Sequence, residues 1–309
     1  MDEVYSLEKI QDIIHTYQAK ENLSPDFLLI LLGPTASGKT KLAVQLAKKY
    51  DAEIISADSR QVYKRLDIGT GKDLQEYQDI PYHLINIIEP TESYNVHAFK
   101  KDFFVAYDQL VSVSKPAILC GGTGSYIQSI LQASPYSAIP KNETFHLQHK
   151  LVSKQDLIKQ LHTFKIPADF QIDWHNHKRL VRALEIVNYL QNNPLPQQPV
   201  RLVKNFLILG LNPDIETRRN KIDDRLNQRL ADGLIQEVEG LLKEGLSHEQ
   251  LQWFGLEYKY ASLYLLGELT FPEFTTKLKT EIHRFAKRQM TYFRKMEKDG
   301  LPIHWLSGS

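Results

Sequence analysis

A single cysteine, Cys120, stands among 309 residues. That excludes a disulfide framework and a multi-cysteine zinc site, and it fits a reducing, cytoplasmic setting. Net charge is equally scarce: 38 Lys and Arg against 37 Asp and Glu leave +1. No global field therefore draws the protein onto a polyanion, and any such binding has to come from local patches. No apolar run reaches membrane-spanning length, so no membrane partner is expected. The first 26 residues mix charged groups with Ile10, Ile13, Ile14 and Tyr17. They lack the unbroken apolar core of a signal peptide and read as a helical extension. Internal repeats and low-complexity tracts are also missing. With 42% hydrophobic residues, the chain can bury one extended core or two smaller ones, and a monomer is expected.

What is present is concentrated near the start. Gly33-Pro34-Thr35-Ala36-Ser37-Gly38-Lys39-Thr40 follows the apolar run Phe27 to Leu32 and precedes a helical pattern from Leu42 to Ala47. A strand, a glycine loop and a helix in that order form a phosphate cradle. Closely spaced glycines let backbone N–H groups converge on an oxyanion, and the helix directs its positive end at it. Lys39 adds a mobile charge, and Thr40 offers a hydroxyl to Mg²⁺.

Strand-like runs alternate with helical periodicity over the first 131 residues, which predicts an α/β, P-loop NTPase-like parallel sheet flanked by helices. Strands are expected at Phe27 to Leu32, Glu53 to Ala57, His83 to Ile88 and Ala117 to Cys120. Helices are expected at Lys39 to Tyr50, Val96 to Ser114 and Ser125 to Leu131. The pattern changes near Ser134, where prolines punctuate a polar stretch with helical signal around Phe145 to Phe164 and from Lys178 to Leu190. A buried-strand pattern returns at Asn205 to Leu211. Helices follow at Asp214 to Leu230, Leu234 to Lys243 and Phe271 to Met296. Residues 1–26 are thus an extension, 27–133 the first part of the core, 134–195 a helical insertion and 196–309 the completion of the core.

In a parallel sheet the ligand lies beyond the carboxyl ends of the strands. That singles out Asp58, Ser59, Arg60 and Gln61 after the second strand, Glu89-Pro90-Thr91 after the third, and Gly121-Gly122-Thr123-Gly124 after the fourth. The last loop carries no acid, which argues against a motor-type ATPase. Lys221, Arg225 and Arg229 recur at helical spacing with Ile222, Leu226 and Leu230 beside them; spacing alone favours a solvated basic face. Lys178, Arg179 and Arg182 form a second stripe beside Trp174 and two histidines. His283, Arg284, Lys287, Arg288, Arg294 and Lys295 form a third. Two basic helices in a nearly neutral protein suit a nucleic-acid groove. The pairs His146/His149 and His175/His177 have no acid or thiol at ligand spacing and read as surface residues.

Together these segments resemble the tRNA dimethylallyltransferases in their bacterial form. The resemblance rests on the phosphate loop, Ile55 to Tyr63, Asp67 to Lys72, Gly121 to Tyr126, Lys178 to Glu185 and Ala286 to Thr291, in family order. It implies that the loop Gly33 to Thr40 holds the diphosphate of dimethylallyl diphosphate. Thr35 would bond the bridging oxygen, Lys39 and Arg225 would neutralise the leaving group, and Thr40 would help place Mg²⁺. Asp58 would be the base for the exocyclic amine of the adenine just 3′ of the anticodon. Ser59, Arg60, Gln61, Thr123, Lys178, Arg179, Arg182, Lys287 and Arg288 would contact tRNA. Alignment from Gly233 places Arg225 on the family's catalytic arginine, reversing the reading from spacing. Departures occur at Ile215, at Lys221, at Asp173 to His177 and at Leu256-Glu257-Tyr258. A small-molecule kinase on the same fold, or an RNA-binding module with a structural nucleotide, would be the alternatives.

Overall fold

The computed structural model describes residues 6–21, 26–196 and 201–307. Strands β1 (Leu28–Leu32), β2 (Glu53–Ser56), β3 (Tyr82–His83), β4 (Ala117–Gly121), β5 (Phe206–Asn212) and β6 (Ile303–Ser307) form one sheet in the order β3-β2-β4-β1-β5-β6. Every pairing in it is parallel. Twelve α-helices accompany it among the described residues: α1 (Leu7–Glu21), α2 (Lys39–Tyr50), α3 (Val96–Ser112), α4 (Gly124–Leu131), α5 (Glu143–His149), α6 (Lys154–His162), α7 (His177–Asn192), α8 (Ile215–Ala231), α9 (Leu234–Lys243), α10 (His248–Trp253), α11 (Leu256–Leu265) and α12 (Phe271–Lys298).

Alternation along the strands divides the core in two, because successive side chains of a strand point to opposite faces. Leu28, Ile30, Leu32, Ile55 and Leu119 join a large cluster with side chains of α3, α4, α8, α9 and α12. Leu29, Leu31, Ile54, Ile118 and Leu209 face the other way, against α2 and Ile10 and Ile14 of α1. The N-terminal extension thus supplies apolar cover for one face of the sheet.

The chain divides into two compact units, residues 1–131 with 203–309, and residues 132–202. The second is helical, with its own core of Leu157, Leu161, Leu180, Leu184 and Val187. Its helices start on side-chain caps: Asn142, Ser153 and Asn176 each accept a hydrogen bond from a first-turn amide. The expected single helical segment from Phe145 to Phe164 is two helices, α5 and α6.

The expected strand from His83 to Ile88 is replaced by the two residues of β3. Leu84 and Asn86 adopt φ of 62° and 56°, which breaks the extended run, and Ile88 returns only for an isolated bridge with Tyr63. The sequence reading also passed over β6, α10 and α11.

Candidate active site

The phosphate loop begins where β1 ends and closes where α2 begins. A Cβ at Gly33 would lie 3.0 Å from the Leu211 carbonyl oxygen, so the loop leaves the sheet against β5 with no room to spare. Gly38 takes the left-handed conformation at φ 84° and precedes α2 without a side-chain cap, leaving first-turn amides for an anion. Lys39 folds back over its own loop, donating from Nζ to the Pro34 carbonyl at 2.7 Å and to Ser37 Oγ at 3.5 Å. Burial, with Arg225 nearby, lowers its amine to about 8.

The end of β2 is joined to the end of β4 by polar contacts. Asp58 Oδ1 accepts the amides of Arg60 at 2.8 Å and Gln61 at 3.4 Å, a turn that orients the carboxylate. Its second oxygen has no hydrogen-bond partner among the described residues. Ser59 donates its amide to Thr123 Oγ1 at 3.1 Å, and Thr123 donates its own to the Ala57 carbonyl at 3.1 Å. A Cβ at Gly121 would fall 2.2 Å from that carbonyl oxygen, so only glycine permits the approach. Gln61 donates to the Gly71 carbonyl at 3.0 Å. Arg60 lays its guanidinium over the indole of Trp253, 4.6 Å from the ring centroid.

A basic wall stands on α8. Arg225 donates to the Gly71 carbonyl at 3.1 Å and to Asp73 at 2.5 Å. Arg229, which spacing placed on a solvated face, is instead only 8% exposed. The cause is an acid on a neighbouring helix: Glu257 of α11 accepts from Arg229 Nη1 at 2.6 Å. Arg229 Nε is buried without a hydrogen-bond partner among the described residues. A Cβ at Gly71 would sit 1.7 Å from Arg229 Nη2 and 2.4 Å from Arg225 Nη2, so both guanidiniums converge on one glycine.

The segment holding Gly71 is itself fixed from below. Glu237 accepts the amides of Asp67, Ile68 and Gly69 at 3.0, 2.7 and 3.0 Å, and Tyr258 donates its hydroxyl to the same carboxylate at 2.6 Å. Lys72, only 1% exposed, donates to the Tyr63 carbonyl at 2.6 Å and to Asp67 at 2.6 Å. Burial lowers its amine, while the bond to Asp67 works against that shift. Glu257 and Tyr258 occupy positions marked as departures, and both now have structural partners.

A cleft of about 430 Å³ is lined by Thr35, Lys39, Thr40, Asp58, Ser59, Arg60, Gln61, Thr123, Arg225, Arg229 and Arg288, with Trp253 and Phe285 among its aromatics. A second, of about 530 Å³, is lined by Ala36, Ser37, Gly38 and Lys221 and shares Lys39, Thr40, Arg225 and Arg229 with the first. Gln289 ties the walls together. It accepts the Thr35 amide at 2.8 Å and donates to the Gly122 carbonyl at 3.0 Å. Its position within the segment Ala286 to Thr291 was noted in the sequence, but a neutral amide carries no mark of such a role. Cys120 also borders the cleft, and burial pushes its thiol up to about 12, so it is no nucleophile.

The remaining candidates lie elsewhere. Lys287 is exposed on α12. Lys178 and Arg179 are exposed on α7 of the insertion, Arg179 paired with Asp173 at 2.7 Å. Arg182 is committed within that unit to Glu185 and to the Ile139 and Pro140 carbonyls. His146 shares Glu185 with it, at 3.0 Å.

A sequence model of the family described as IPP transferase matches residues 61–296. A tRNA dimethylallyltransferase 2 of Phocaeicola vulgatus is 48% identical over 286 residues, 90% of this chain and 92% of its own length. Another, of Porphyromonas gingivalis, is 45% identical over 285 residues, 90% and 93% of the two chains. Among solved structures, the full-length tRNA isopentenylpyrophosphate transferase of Bacillus halodurans superposes with a TM-score of 0.67 at 31% identity, covering 91% and 90% of the two chains. A eukaryotic dimethylallyltransferase acting on tRNA gives a TM-score of 0.72 at 26% identity, over 90% of this chain and 73% of that one.

Proposed function

The chain belongs to the IPP transferase family, the tRNA dimethylallyltransferases, and from that premise we propose that it transfers the dimethylallyl group of dimethylallyl diphosphate to the exocyclic N6 amine of the adenine 3′ of the anticodon in tRNA, releasing diphosphate. One observation carries the reading to the residue level: the phosphate-loop residues Thr35, Lys39 and Thr40, the Asp58 carboxylate and Arg225 line the same cleft.

The adenine amine is a poor nucleophile because its lone pair is delocalised into the ring. Transfer therefore needs a departing diphosphate and removal of a proton. As the C1–O bond of the prenyl donor breaks, its electron pair leaves with the diphosphate while N6 bonds to C1. Amides of the Gly33 to Thr40 loop, Lys39 and Arg225 stabilise the charge growing on the leaving oxygens. Each such donor is worth roughly 2.7–4 kcal/mol in a site that excludes water. Thr35, its amide fixed by Gln289, supplies a hydroxyl to the bridging oxygen. Asp58 takes the N6 proton, contributing about 10²-fold or more.

The donor set fits an Mg²⁺ that arrives with the diphosphate. Thr40 offers one hydroxyl in the cleft, and no cluster of three His, Cys, Asp or Glu able to hold an ion exists among the described residues. Mg²⁺ characteristically binds through few protein oxygens plus substrate phosphates. When bound, it would neutralise charge on the diphosphate oxygens.

A monomer working in the cytoplasm suits the single buried cysteine and the absence, among the described residues, of a helix long and apolar enough to cross a membrane. The kinase alternative leaves Arg60, Thr123 and Arg288 without a task. The test offers purified protein two labelled donors with Mg²⁺. Label is expected to pass from dimethylallyl diphosphate to bulk tRNA; passage only from ATP to a small metabolite would reverse the reading.

A further inference from the structure

We infer that Trp253 is a stacking shelf for a nucleobase flanking the target adenine, and so a specificity-determining residue of this cleft. The inference rests on the tRNA reading above and adds to it a residue with no prior role. Trp253 ends α10 with its indole 52% exposed, an unusual position for the largest apolar side chain. It is nonetheless held in one orientation. Tyr63 meets it edge-on at 6.0 Å and 84°, and Phe254 at 5.4 Å and 77°. A capping box between Ser247 and Gln250 fixes the start of its helix.

The indole's partner specifies the occupant. Arg60 lies over the ring at 4.6 Å, and its guanidinium forms no ion pair among the described residues. A half-exposed indole with an unpaired guanidinium laid over it matches what an unstacked nucleotide offers, a base to stack on the planar pair and a phosphate to neutralise. A second aromatic ring near a cation borders this cleft: Phe285 is 40% exposed, with Arg288 6.0 Å from its ring and 3.9 Å from Glu281. Both pairs border the cleft that contains Asp58. A base drawn toward that carboxylate leaves its neighbours in the chain unstacked, and RNA loops are read through such splayed bases. A base flanking the adenine stacks onto the Trp253–Arg60 pair and holds the loop open.

The test compares Trp253→Ala and Trp253→Phe with wild type on an anticodon stem-loop and dimethylallyl diphosphate. Base–aromatic stacking predicts that Trp253→Ala raises the KM for the stem-loop roughly 5- to 150-fold. The turnover at saturation and the KM for dimethylallyl diphosphate stay within about twofold, and Trp253→Phe recovers most of the loss. A 2-aminopurine placed on one side or the other of the target adenine is quenched by wild type and Trp253→Phe, and regains emission with Trp253→Ala. An unchanged stem-loop KM in Trp253→Ala, equal losses in the two variants, or an effect confined to turnover or to the prenyl donor overturns the inference. Wild-type protein that prenylates no stem-loop overturns the function itself, which keeps the two failures distinct.

Discussion

Lys39 donates to its own loop at Pro34 and carries an amine lowered to about 8 by burial, against an ordinary value of 10.5. The sign of two pH effects follows. In the role proposed for Lys39, diphosphate binding needs the ammonium, so kcat/KM for dimethylallyl diphosphate should fall on an alkaline limb with an apparent pKa near 8. Stability moves the other way: between about 8 and 10.5 the unfolded chain holds the proton that the folded one has released. Lys39 therefore adds to folding free energy as pH rises through that window. A pH profile of kcat/KM and a denaturation series on wild type and Lys39→Met check both. An alkaline limb in kcat/KM that the methionine variant keeps would remove Lys39 from the assignment.

Elements position the chemistry through glycines and one amide, and here the sequence was only partly legible. Loops after β1, β2 and β4 could be placed because the α/β alternation and the glycine spacing carry that information locally. Arg229 could not. Its burial depends on Glu257, 28 positions along the chain, and helical spacing cannot report a partner on another helix. The run after Tyr82 was misread because alternating apolar residues look extended even where Leu84 and Asn86 turn left-handed. The bridging role of Gln289 was illegible for a similar reason: its two bonds run to loops 254 and 167 positions away. Two variants probe this level. Gln289→Leu leaves the Thr35 amide and the Gly122 carbonyl without their partner. The expected cost is roughly 1–3 kcal/mol of stability for each orphaned group, with kcat/KM reduced at least about tenfold. Gly71→Ala introduces a Cβ 1.7 Å from Arg229 and 2.4 Å from Arg225 at a backbone φ of +59°. The KM for dimethylallyl diphosphate should rise by about tenfold or more while stem-loop affinity holds. Steady-state kinetics and chemical denaturation read both, and wild-type constants in Gly71→Ala would show that Arg225 does not serve the diphosphate.

For the whole molecule, the insertion is one continuous stretch of chain, residues 132–202, between two parts of the larger unit. The chain departs at Leu131 and returns at Val203, whose amide donates to the Ile130 carbonyl at 2.9 Å, and residues 132–202 carry their own apolar core. Replacing that unit by a short glycine linker should leave a cooperatively folding protein that binds dimethylallyl diphosphate with unchanged affinity. Its tRNA affinity should fall about tenfold or more and depend less steeply on salt, because the phosphate contacts proposed for Lys178 and Arg179 would be gone. Calorimetry and salt-titrated gel shifts test this, and tRNA binding that survives intact would take the insertion out of the interface.

The account turns on Asp58 as the base in a cleft whose glycine loop holds the leaving group. Asp58→Asn is a close probe, since an amide oxygen can still accept the Arg60 and Gln61 amides that orient the side chain. The decisive measurement is a single-turnover reaction with enzyme in excess over labelled dimethylallyl diphosphate and anticodon stem-loop, scored by mass as N6-dimethylallyladenosine. Wild type should convert the adenine, while Asp58→Asn binds both substrates and transfers about 10²-fold or more slowly. Transfer by Asp58→Asn at the wild-type rate would contradict the account.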